Sequence, residues 1–174
     1  MFDESIVPGP KSVIGSLSAD SIICLHHLYS KLYLAYGNQF QEDKCLYHLP
    51  YSSITWRGKS LTSTLNQNAR NPFVFVAPPF SFASGIRTEF TGEERLAEID
   101  FFLMHSVVLP ESLEPKSHLL ACAKWPIVHH NRFYFGKPVE VWCNNIYEPQ
   151  AINRFFLAST ITARAIISIG KSLQ

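Results

Sequence analysis

Leu119-Leu120-Ala121-Cys122-Ala123-Lys124-Trp125 is an apolar run closed by Pro126, and its reading decides the fold. The run is too short for an ordinary helix, is followed at once by a residue that cannot donate to a β-ladder, and reads as a buried strand. Downstream the pattern repeats. Arg132–Phe135 is a short strand signal, Val139–Cys143 alternates, and Phe155–Ile169 is a long Ile- and Thr-rich run broken by Arg164. Gly136-Lys137-Pro138 and Asn144-Asn145 are turn signals between them. Strand after strand at this spacing predicts an antiparallel barrel or sandwich.

Upstream, Tyr51–Trp56 and Lys59–Leu65 flank Arg57-Gly58, a tight hairpin turn, and Phe73–Val76 is a short apolar strand stopped by Pro78-Pro79. The segment Glu93–Leu109 carries two signals. Thr91-Gly92-Glu93-Glu94 resembles a helix capping box, whereas Ile99–Val108 reads as a strand; we take the second half as strand. One amphipathic helix is predicted over Asp20–Tyr36, capped by Ser18 or Asp20 and stopped by Gly37-Asn38. Its apolar stripe is Ile22, Leu25, Tyr29, Leu32 and Tyr36, with His26, His27, Ser30 and Lys31 opposite. Residues 1–19, with three of the early Pro and Gly residues at 8–10, read as an irregular lead-in. The expectation is a mainly β (α+β) chain: a single antiparallel β-barrel-like domain over 20–174 with one N-terminal helix.

Composition bounds the function. Of the 174 residues 47% are hydrophobic and 17% charged, below the roughly 25% charged of an ordinary domain. That profile excludes disorder and fits a chain with part of its surface covered by a partner. A net charge of +1 disfavours non-specific electrostatic capture of nucleic acid. The acidic start Met1-Phe2-Asp3-Glu4 is unlike a signal peptide, and no apolar run reaches the ~20 residues of a membrane span. We expect a nuclear or cytoplasmic protein with reduced cysteines, neither secreted nor membrane-bound.

Several residues merit a chemical reading. Cys45-x-x-His48 and Cys24-x-His26-His27 have ligand-like spacing, but a structural zinc site needs two tight pairs, so no metal is expected. Cys122 or Cys143 with His129 or His130 and Asp100 or Asn145 can be drawn as a thiol–imidazole set, yet both cysteines look like packing residues. No nucleophile elbow or phosphate loop occurs, and no enzyme activity or cofactor is expected. The loop carrying Lys124, His129, His130, Arg132 and Lys137 is cationic and bordered by Trp125, Phe133, Tyr134 and Phe135. Such interleaving can stack on bases or on a partner's cations, or it can bury its rings while the charges stay solvated. Arg57, Lys59 and Arg70 form a second cationic stretch near Trp56. Trp142, with Glu140, Trp125 and Tyr147, could line an aromatic cage for a methylated lysine if the valine face of its strand is the core.

A resemblance extends the reading. Ile99-Asp100-Phe101-Phe102, His118–Trp125, His129-His130, Gly136–Trp142 and Phe155–Ala158 with Ile161–Arg164 resemble a domain of uncharacterised eukaryotic proteins, many of them transposon-derived. Leu25–Tyr36 and Ser53–Lys59 fit the same pattern, so the similarity spans about residues 20–167. More distantly, the order of strands resembles a bromo-adjacent homology (BAH) domain, from which the long N-terminal helix departs. The resemblance implies a non-catalytic interaction module of the kind that makes protein and nucleosome contacts in chromatin. Joined to the reading of the loop and the outward aromatics, the expectation is binding of protein or chromatin partners, histone tails among them, through Lys124, Trp125, His129, His130, Arg132, Lys137 and Trp142. Nucleic-acid binding and structural self-assembly are the alternatives.

Overall fold

The computed structural model describes residues 6–9, 17–33, 45–47, 50–66, 71–77, 94–110, 114–136, 139–149 and 153–168. In chain order the elements are β1 (Ile6–Pro8), α1 (Ala19–Leu32), β2 (Cys45–Tyr47), β3 (Ser53–Trp56), β4 (Lys59–Thr62), β5 (Phe73–Val76), β6 (Arg95–Val107), β7 (Lys116–Lys124), β8 (Pro126–Val128), β9 (Trp142–Tyr147), β10 (Phe155–Leu157) and β11 (Ile161–Arg164). The chain is mainly β, with antiparallel sheets and one helix among the described residues.

The central sheet runs β10-β7-β6-β5-β11, and β2 pairs with the far end of β6. Both faces of its middle strands are buried, which explains their nearly continuous apolar sequence. Along β7, Leu119, Ala121 and Ala123 join one core with Ile54, Trp56, Leu61, Val74, Val76 and Phe156. The alternate residues Leu120 and Cys122 face a second core with Cys24, Leu25, Leu28 and Tyr29 of α1. One face therefore packs on the three-stranded sheet β1-β3-β4 and the other on the helix.

Asp100 shifts which residues of β6 face which core. The register steps from Ile99↔Ala123 to Phe101↔Cys122, leaving Asp100 as the extra residue of a β-bulge. Parity changes there: Ile99 and Phe102 both enter the first core although three positions apart. The bulge also sends the Asp100 carboxylate to Lys124 (3.3 Å) and Arg154 (2.8 Å).

The edge strands β10 and β11 are joined only by a 3-10 turn, Ala158–Thr160. Four steps of ~2 Å cover about 8 Å, whereas the edges of a flat five-stranded sheet stand ~19 Å apart. The sheet is therefore strongly rolled. Residues from all five strands, with Ala158, share the first core inside that roll. No β10–β11 pairing occurs among the described residues, so the roll is not closed by a ladder.

The structure matches several expectations and corrects others. The Arg57-Gly58 turn has positive φ at both residues (48° and 73°), as a two-residue hairpin turn with the right twist requires. Ser18 caps α1 through its hydroxyl on Ser21 N–H (3.2 Å). The helix ends at Leu32 rather than Tyr36, because Tyr33 leaves helical geometry (φ −123°, ψ 50°) and its hydroxyl meets His118 Nε2 at 2.6 Å. Tyr36, Gly37 and Asn38 lie outside the described residues.

The lead-in contains a strand, Ile6–Pro8, that extends the β3–β4 hairpin. The capping-box signal at Glu94 gives way to strand from Arg95 onward, since β6 gains ladders on both sides. Arg132–Phe135 is a turn and not a strand, while Asn144-Asn145 lies within β9, with Asn145 at φ 55°. Phe155–Ile169 is split by the 3-10 turn because its two halves serve opposite edges of the sheet.

Candidate functional site

The β8–β9 arm leaves the central sheet immediately after Trp125 and returns before Asn153. Its turn is built from overlapping backbone hydrogen bonds: Arg132 N to His129 O (3.0 Å), Tyr134 N to Asn131 O (2.9 Å), Gly136 N to Phe133 O (2.9 Å) and Val139 N to Gly136 O (3.0 Å). Gly136 sits at φ 73°, the left-handed region that a β-carbon disfavours. Val141 N then bonds Arg132 O at 2.8 Å, closing the loop.

Beneath that turn lies a polar lock. Arg132 is buried and donates from Nε and Nη2 to the two Glu140 oxygens at 2.9 and 3.3 Å, and from Nη2 to the Glu94 carbonyl at 2.9 Å. The Trp142 indole N–H donates to the same carboxylate at 3.1 Å. The Arg132 guanidinium stands 4.7 Å from the Trp142 ring centroid and 4.8 Å from that of Phe133. Arg95 lies 5.7 Å from Trp142 and pairs with Glu148 at 3.0 Å, with both side chains buried. Each buried guanidinium is thus paired with a carboxylate.

The sequence-predicted site residues separate accordingly. Trp125 is 2% exposed, packs against Phe156, and donates its indole N–H to Asn153 O (2.9 Å); it belongs to the core and presents no ring to a partner. Arg132 is committed to the lock. Trp142 is half-buried, and its ring already faces a cation of the chain itself, Arg132. Lys124 is exposed but paired with Asp100 and 5.8 Å from the Tyr147 ring. Tyr147 in turn hydrogen-bonds Glu98, and burial with that bond pushes its hydroxyl up to about 12.

His129 and His130 do come together, with ring centroids 4.2 Å apart. His129 Nδ1 accepts from Asn131 N (3.1 Å), which leaves the ring proton on Nε2. Lys137 lies outside the described residues, as do the side chain of Cys45, His48 and Arg70. Arg57 stacks 4.9 Å from the buried Trp56 ring.

Of the rings that border the cationic loop in the sequence, Trp125 goes to the core, and the other three form an exposed turn tip. Phe133, Tyr134 and Phe135 are 45%, 69% and 58% exposed, with Val139 (54%) and Ile146 (55%) on the same arm. Tyr134 and Phe135 stand edge to face at 4.9 Å. Their signal was in the sequence: three successive rings between Asn131-Arg132 and Gly136 cannot all point to one side of a strand, so at least one had to face away from any core.

The thiol–imidazole arrangement does not assemble on Cys122. That thiol is fully buried in the helix-facing core, and desolvation pushes it up to about 12, so it carries no thiolate at neutral pH. Among the described residues no group of three His, Cys, Asp or Glu is placed to hold a metal ion, and no helix is long and apolar enough to cross a membrane. No family model, curated protein or solved structure matches this chain.

Proposed function

We propose that this chain is a non-catalytic interaction module, BAH-like in its rolled β-core, that meets its partners through the β8–β9 arm within a chromatin-associated or transposon-derived protein. The observation that carries this reading is the exposed Phe133-Tyr134-Phe135 turn held on a buried Arg132–Glu140–Trp142 lock. Exposed aromatics on a pre-ordered support bind at low entropic cost, and their exposure has no role in the fold's own cores.

The barrel-like reading of the core rests on strand order: numbered by themselves, β5, β6, β7, β10 and β11 are antiparallel neighbours with the last beside the first and a 3-10 turn before the last. A fold of this kind does not by itself fix a function. Function is therefore argued from the arm and not from the barrel.

A modified-histone peptide array tests the chromatin version, with the wild-type domain beside a Tyr134→Ser/Phe135→Ser variant. Selective binding that the variant loses supports a protein reader working through the turn. Selective binding kept by that variant and lost in Trp142→Ala returns the site to Trp142. Silence from a folded domain removes the histone-tail version.

A further inference from the structure

Resting on the reading of the β8–β9 turn as the contact surface, we propose that its partner is single-stranded nucleic acid, with unstacked bases packing on Phe133, Tyr134 and Phe135. Three observations favour this class. The first is area. With roughly 200 Å² per aromatic side chain, exposures of 45%, 69% and 58% make about 350 Å² available at the tip. A stable protein interface takes about 800 Å² from each partner, whereas a base needs only one ring face to stack.

The second is ring geometry. Tyr134 and Phe135 are nearly perpendicular (89°), so they cannot bury each other face to face. Two ring planes at right angles suit a splayed strand whose bases change direction, and a flat apolar partner would meet only one of them.

The third is charge. From Pro126 to Val139 the sequence has no carboxylate and carries His129, His130 and Lys137 besides Arg132, whose charge is taken up by Glu140. Glu140, the next acid along the chain, is held by Arg132 and by the Trp142 indole N–H. The His129 tautomer fixed by Asn131 leaves its Nε2 as a hydrogen-bond donor, the sense that a phosphate oxygen requires. The turn itself therefore presents no carboxylate to an approaching polyanion.

Fluorescence anisotropy with a labelled 20-nucleotide oligothymidine, in buffer of about 50 mM salt, tests the proposal on the full chain. Tyr134→Ala and Phe135→Ala should each weaken binding at least fivefold, and the double variant more than tenfold. A duplex of the same length should bind more weakly than the single strand, because its bases are already stacked. These side chains are exposed, so thermal melts of the variants should overlay the wild type; a variant that fails to fold is replaced by Phe135→Leu, which keeps apolar bulk and removes the ring. No binding of the oligonucleotide, or equal binding by the folded double variant, overturns the proposal. If the peptide array is positive in that case, the turn is still the contact surface and the partner is a protein. If both are silent, the turn is not a contact surface.

Discussion

Arg132 and Glu140, eight positions apart, are joined by two N–H···O bonds at 2.9 and 3.3 Å, and this fork closes the base of the loop that carries Phe133, Tyr134 and Phe135. The same guanidinium lies 4.7 Å from the Trp142 ring and bonds the Glu94 carbonyl, so the arm is tied to the start of β6 as well as to itself. The geometry needs a planar, two-pronged cation, which lysine does not offer.

Removing that fork should unlock the arm. Arg132→Ala leaves the mostly buried Glu140 carboxylate without its cation and should destabilise the domain by roughly 2–4 kcal/mol in urea titrations, with Arg132→Lys in between. Hydrogen exchange gives a local readout. The Val141 amide, bonded to Arg132 O, should exchange faster in Arg132→Ala than in wild type, before the central sheet does.

Trp125 is predicted to matter for stability and not for binding. Trp125→Phe keeps a ring against Phe156 but leaves the Asn153 carbonyl without its indole donor, at a cost of about 1–3 kcal/mol. Iodide quenching provides a second check. With Trp56 and Trp125 buried, the accessible part of the native emission should belong to Trp142, and Trp142→Phe should abolish it.

How far the fold was legible depended on what each segment's neighbours add. The β3–β4 hairpin was readable because Arg57-Gly58 dictates its own turn, and β7 because Leu119–Ala123 is apolar at every position. Glu94–Val107 was ambiguous locally: a capping signal competes with strand formers, and only the ladders to β5 and β7 decide the outcome. The Asp100 bulge could not be read, since the cations its carboxylate meets, Lys124 and Arg154, lie 24 and 54 positions away. In the site His129 and His130 are neighbours in the chain and their rings meet, but the pattern treated Arg132 as a free cation. The partner that neutralises it, Glu140, lies across a turn whose shape the sequence disguised as a strand.

Thiol chemistry separates the cysteines by burial. Cys122 is enclosed between β7 and α1, and burial raises its thiol to about 12, so a thiol-reactive probe should label it only as fast as the domain opens. Half-buried Cys143 should react first among the three described cysteines. Rapid labelling of Cys122 in native protein, located by peptide mapping, would contradict its position in the helix-facing core.

Acid should loosen the helix through His118. Its Nε2 meets the Tyr33 hydroxyl at 2.6 Å, its ring lies 5.8 Å from Tyr29, and the Lys116 ammonium stands 5.3 Å from the Tyr33 ring. Desolvation first, then the positive charge of Lys116, lowers this histidine from 6.5 to about 4. The unfolded chain therefore binds a proton that the folded chain refuses between those values. The contribution is complete above about 6.5, shrinks as pH falls through the window, and is gone below about 4. Carboxylates in ion pairs lose stability over part of the same range, so the informative quantity is the difference between wild type and His118→Gln. Glutamine retains a polar partner for Tyr33 and does not titrate. Urea midpoints measured from pH 7 down to pH 4 should converge for the two proteins as the wild type loses its advantage. Parallel curves would place the acid sensitivity elsewhere.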